Sequence, residues 1–173
     1  MATESGRVVV GIGESLSALE ALRRAVAEAR RRDAVLRAVR VWHLDARTDA
    51  VAYYAGRIEI GANADEVIRQ SFYRAMGGLP RDISFELIAV EGAVGPALVR
   101  QASNDDDLLV LGAPVRRWWT PARFSIIRHC IDNAACPVLV VPAPKLARAQ
   151  GIKASGRAMR RELQRLFETT GSM

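Results

Sequence analysis

Arg7-Val8-Val9-Val10-Gly11-Ile12-Gly13-Glu14-Ser15 is the stretch on which the fold turns. Its apolar half is short, continuous and β-branched, with no polar residue alternating through it. A strand of that kind is buried on both faces, as inside a parallel sheet. Gly13-Glu14-Ser15 then turns the chain. Ser17-Ala18-Leu19-Glu20 has capping-box spacing, in which the hydroxyl accepts from the N3 amide and the carboxylate reaches back. A helix is predicted to about Arg32, with Leu19, Leu22, Ala25, Val26 and Ala29 as its inward stripe.

The same grammar repeats along the chain. Val35 to Val41 reads as a second strand, and the pattern weakens from Trp42 to about Ala62, where Gly56, Gly61 and several charges predict a long excursion. Helical spacing returns from Ala64 to Met76 through Val67, Ile68, Phe72 and Met76, and Gly77-Gly78-Leu79-Pro80 stops it. Ser84 to Val90 is a strand. Gly95-Pro96 opens a short helix to about Ser103, proline being at home in a first turn. Asn104 to Asp107 form a polar turn leading into the strand Leu108 to Leu111, and their acids are read as turn residues in preference to metal ligands. Ile126 to Ala134 reads as a helix and Val138 to Val141 as the last strand, stopped by Pro142 and Pro144. Strands alternating with helices imply right-handed crossovers, hence an α/β fold with a mainly parallel sheet covered by helices on both faces. Ligands in such sheets bind beyond the carboxyl ends of the strands, where strand order reverses. Gly13 to Ser15, Trp42-His43 and Gly112 onward are therefore the positions to inspect.

Composition narrows the classes. The 173 residues suit one domain, half hydrophobic and a quarter charged, with no apolar run near the ~20 residues of a membrane span. Met1-Ala2-Thr3-Glu4-Ser5 has no basic-then-apolar leader pattern, so a cytoplasmic location is expected, with Cys130 and Cys136 as reduced thiols. Two Cys and two His without ligand spacing give no metal site. The net charge of +6 is unevenly placed: residues 1–142 hold 18 Lys+Arg against 17 Asp+Glu, and residues 143–173 hold 7 against 2. The chain is thus expected to divide into an α/β domain over 1–142 and a basic linker with an amphipathic helix over 143–173. That charge placement makes nucleic acid an unfavoured partner of the body.

Val8-Val9-Val10-Gly11-Ile12-Gly13-Glu14-Ser15 followed by Ala21-Leu22 resembles the first strand and helix of universal stress proteins. Asp107-Leu108-Leu109-Val110-Leu111-Gly112 resembles their fourth strand. Ser125-Ile126-Ile127-Arg128-His129, then Ala135-Cys136-Pro137-Val138-Leu139-Val140-Val141, resembles their closing helix and fifth strand. The resemblance spans about residues 7 to 142. It implies a Rossmann-like sheet of five parallel strands in order 3-2-1-4-5, and a homodimer through the last strand. It also implies where nucleotide would bind: an aspartate ending the first strand, and G-x-x-G, about nine residues, then G-(S/T). Here the aspartate position reads Gly13. Gly112 matches the first glycine and Ser125 the final hydroxyl residue, while Val115 and Phe124 replace the other glycines, across a spacing one residue short. A branched Cβ and a phenyl ring crowd the close backbone approach that phosphates require.

The intervening loop, Val115-Arg116-Arg117-Trp118-Trp119-Thr120-Pro121-Ala122-Arg123-Phe124, leaves two readings open. Arg116, Arg117 and Arg123 could contact an anion with the indoles stacking on a ligand, or the tryptophans could fill vacated space or an interface; the second is favoured. His43 has no partner base or nucleophile, and His129, Cys130 and Cys136 read as packing residues. Ser155 can cap a tail helix in which Met159, Leu163, Leu166 and Phe167 share a face; docking on the body or the dimer mate is favoured over an anionic partner. No catalytic constellation emerges. The expectation is a non-enzymatic regulatory or interaction protein, without a cofactor and without ordinary ATP binding. Two alternatives remain: a nucleotide-binding member with weak ATP binding or hydrolysis, and an adaptor holding an anionic partner or nucleic acid through the basic tail.

Overall fold

Val8, Val9 and Val10 are all inaccessible to solvent, and they face in alternate directions. Val8 and Val10 join one core with Leu22, Val26, Ile68 and Phe72, whereas Val9 joins the other with Val39, Leu98, Leu109 and Cys130. Burial on both sides explains the unbroken apolar run. The computed structural model describes the backbone of residues 6–42, 50–113 and 121–145, and the side chains of those residues other than 50–62 and 121–124. The expected tail helix, with Ser155, Met159, Leu163, Leu166 and Phe167, lies outside the described residues.

The described elements follow in the order β1 (Val8–Gly11), α1 (Leu16–Arg32), β2 (Leu36–Trp42), α2 (Ala50–Met76), β3 (Phe85–Glu91), α3 (Val94–Gln101), β4 (Leu108–Gly112), α4 (Pro121–Asn133) and β5 (Val138–Val141). They form a five-stranded sheet in order β3-β2-β1-β4-β5, parallel at every pairing. The expected fold class and strand order are both found. α1 and α2 cover one face, with Phe72 packed on Phe85 at a ring separation of 6.1 Å; α3 and α4 cover the other.

Three local expectations are corrected. The cap of α1 is Ser15, not Ser17: Ser15 is extended and its hydroxyl accepts from the Ala18 amide at 3.2 Å. Ser17 is buried inside the first turn with its hydroxyl 3.1 Å from that of Ser15, and Glu20 pairs with Arg23 instead of reaching back. The long excursion after β2 gives way to helix from Ala50, well before Ala64. Its alanines favour helix, and each glycine costs only about 1 kcal/mol, an amount that tertiary packing overrides. Finally α4 starts at Pro121 rather than Ile126, with proline in the N1 position where its missing N–H is no loss.

The other ends lie within two residues of the reading. α1 closes at Arg32 with Asp33 left-handed (φ 51°), its amide turned to Ala29 and Arg30. α2 stops at Gly77, whose φ of 81° suits a residue without a Cβ and whose amide returns to the Tyr73 carbonyl. The amino edge of the sheet is fastened by Asp107, which is fully buried. It accepts from the Arg7 amide at 2.8 Å, from the Arg7 guanidinium at 3.1 and 3.3 Å, and from the Asn104 amide at 3.1 Å.

A cavity at the strand-order reversal

In the order β3-β2-β1-β4-β5, the chain proceeds from β1 towards β2 and β3 on one side, and later resumes at β4 on the other. Connections therefore leave β1 and β4 in opposite directions, and a crevice opens between their carboxyl ends. A cavity of about 390 Å³ lies there, formed by the ends of β1, β2 and β4, the first turns of α1 and α3, and Ile126 and Ile127 of α4. Its size is that of a small-ligand site.

Each wall has a local cause. Ile12 gives its amide to the Val39 carbonyl at 2.8 Å, the last such bond between β1 and β2 before the chains part. Ser15 then turns the chain into α1 and caps it, so Ser15 and Ala18 stand at the cavity. Gly95 lets α4 approach α3. A Cβ there would come within 2.8 Å of the His129 ring, and the Cys130 thiol lies 3.9 Å from the Gly95 carbonyl. This contact presses α4 inward and brings Ile126 and Ile127 to the lining. His129 and Cys130 are thus packing residues; burial pushes the Cys130 thiol up to about 11, where it is inert as a nucleophile.

Of the positions singled out from sequence, Gly13 and Gly112 line the cavity. Gly13 has no left-handed backbone, and a Cβ there would meet only the Ala18 Cβ, at 3.3 Å; a small side chain would fit with a slight adjustment. Gly112 is different. A Cβ on it would stand 2.5 Å from the Ser17 carbonyl oxygen and 2.8 Å from the Ala18 nitrogen, so backbone of α1 occupies that space. Its glycine is demanded by helix packing, whatever the cavity holds. Ser125 is exposed on α4 and does not contribute to the lining. Val115, Arg116, Arg117, Trp118, Trp119 and His43 lie outside the described residues, and the side chains of Arg123 and Phe124 do too.

Among the described residues the charged ones in the lining are Arg40 and Glu14. Sequence reasoning missed Arg40, although a signal was present: an arginine between Val39 and Val41 breaks the apolar run expected of an inner strand. Among the described residues no cluster of His, Cys, Asp or Glu could hold a metal. Among the described residues the lining holds no histidine, cysteine or lysine, and no paired nucleophile and base. A second concavity, at the opposite edge of the sheet, is bordered by Arg30 and Asp82, which are already joined to each other by two hydrogen bonds at 2.5 and 2.9 Å.

The comparisons agree with this architecture. A sequence model described as the universal stress protein family matches residues 4–142. Solved structures align over most of the chain. The universal stress protein UspA from Lactobacillus plantarum is 22% identical, with TM-score 0.61, covering 80% of this chain and 99% of its own. A universal stress protein solved in complex with cAMP is 24% identical, with TM-score 0.58, covering 82% of this chain and 100% of its own. A universal stress protein family protein from Arabidopsis thaliana, solved with AMP bound, is 16% identical, with TM-score 0.52, covering 81% and 93%. No curated protein matches the chain.

Proposed function

The chain belongs to the universal stress protein family, and from that premise we propose that it is a non-enzymatic regulatory member that takes a small molecule in the switch-point cavity without ordinary ATP binding. The observation that carries this reading is the use made of Gly112. The one cavity glycine that matches the nucleotide pattern leaves its space to α1. Its presence therefore gives no support to a phosphate cradle, in which glycines free backbone amides for close approach. Around it the described wall is largely aliphatic, with Val39, Val41, Leu98, Leu111, Ile126 and Ile127, and no acid–base pair stands among the described residues. The function in this reading is ligand-dependent interaction, not turnover.

ATP is accordingly expected to bind more weakly than about 1 mM, a free energy less favourable than roughly −4 kcal/mol. Calorimetric titration of the purified protein checks this, preceded by mass spectrometry of small molecules released from it. Micromolar ATP affinity, or co-purified nucleotide, would favour the second reading, a nucleotide-binding member. That reading has its own support, since related proteins have been solved with cAMP and with AMP.

The same proposal includes a homodimer. β5 is a sheet edge whose residues Val138, Leu139 and Val140 are only partly covered within one chain. An apolar edge strand presents unpaired backbone groups to any passing strand and is normally covered. Light scattering is expected to give twice the chain mass at micromolar concentration, and Val140→Lys to shift it towards the monomer. A monomer at every concentration removes the dimer from the proposal. As to membranes, no helix among the described residues is long and apolar enough to cross one.

A further inference from the structure

Arg40 is the charged side chain of the cavity that the packing does not consume. Other arginines show what consumption looks like: Arg7 is paired with Asp107, Arg37 with Glu86 and Arg30 with Asp82. Arg40 has instead a single long contact, from its guanidinium to the Ile12 carbonyl at 3.5 Å, and no carboxylate pairs with it among the described residues. That contact places the guanidinium where β1 and β2 part, at the β2 side of the cavity. The far side, formed by Leu98, Leu111 and Ile127, is aliphatic. Glu14 is exposed and does not neutralise the arginine.

A guanidinium presents a planar fork of N–H donors that fits a carboxylate with two parallel bonds. Beside apolar walls those bonds are stronger than in water. Among the described residues the wall offers a single guanidinium, which suits a monoanion; a polyphosphate would bring charge that it does not balance. We propose that the cavity binds a small amphiphilic carboxylate, its acid group held by Arg40 and its hydrocarbon body lying against Leu98, Leu111 and Ile127. This rests on the reading that the cavity holds a small molecule, and it adds the polarity and orientation of that molecule.

Octanoate and octanol serve as probes, titrated into the full chain and followed by ligand-observed NMR near neutral pH. Octanoate is expected to bind about tenfold more tightly than octanol, the scale of one charge-assisted hydrogen-bonded pair. In Arg40→Gln the two should agree within about twofold, with octanol unchanged, while Ile127→Trp fills the cavity and removes both. Equal affinities in the unmodified protein that are lost in Ile127→Trp would overturn the role of Arg40 and leave the cavity reading standing. If neither probe binds, or if binding survives Ile127→Trp, both fall. Should Arg40→Gln fail to fold, the comparison of the two probes in the unmodified protein still decides the matter.

Discussion

Asp107→Ala is expected to lower the unfolding free energy by about 3–5 kcal/mol, the usual cost of removing one partner of a buried charge pair. The carboxylate is fully buried and gathers four donors: the Arg7 amide, two guanidinium N–H groups of Arg7 and the Asn104 amide. Alanine leaves a void and removes the acceptor that those donors share at the base of β1 and β4. Burial by itself pushes the Asp107 carboxyl up. The guanidinium of Arg7, the two backbone amides and the Arg7 charge together outweigh it and hold the group below the ordinary carboxylate value. A carboxyl depressed in the fold stabilises it fully above the unfolded value, about 3.9, and that contribution is lost as pH falls through the lower folded value. The unmodified protein should therefore lose stability below about pH 4, and Asp107→Asn should show a shallower acid limb from a lower plateau. Denaturant unfolding followed by circular dichroism across that range measures both. A loss under about 1 kcal/mol for Asp107→Ala would show that the edge is held by something else.

Gly112→Ala should lower stability by about 3 kcal/mol, at the upper end of overpacking costs. The added methyl would lie 2.5 Å from the Ser17 carbonyl oxygen, and the obstacle is helix backbone, not the end of a flexible side chain. Relief requires α1 to move away from β4, which loosens Leu19, Leu22 and Val26 in the core they share with Val110. For a chain of this size the midpoint of thermal unfolding should drop by roughly 6–12 °C. Gly13→Ala is the control: its methyl meets one Ala18 carbon at 3.3 Å and should change stability by less than about 1 kcal/mol. If Gly112→Ala melts with the unmodified protein, the approach of α1 is not what requires glycine there, and a ligand-binding role for Gly112 regains its force.

The sequence by itself determined the layers. The β-branched run Val8-Val9-Val10 announced a strand buried on both faces, and the spacing of Leu19, Leu22, Ala25, Val26 and Ala29 announced the helix stripe, all of it buried in the structure. Gly77 as a helix stop and the burial of Cys130 and Cys136 were legible for the same reason. These features follow from local periodicity and from single-residue chemistry, which need no knowledge of what lies across the chain. Resemblance supplied the strand order.

Tertiary structure decided the rest. Ser17 had the capping-box spacing, but the backbone is extended at Ser15 and Ser17 is buried in the first turn, so Ser15 is the cap. Gly112 looked like a nucleotide residue by resemblance, but a helix begun almost a hundred residues earlier occupies the space its Cβ would take. Asp107 read as one more acid in a turn until β1 and β4 were set side by side and Arg7 arrived at its oxygens. Arg40 drew no notice within the strand read from Val35 to Val41; its place beside Ile12 and the aliphatic walls of α3, β4 and α4 is a tertiary result. In each case the deciding interaction joins residues distant in sequence, and its strength depends on burial and on distances of a few ångströms, which local pattern does not encode.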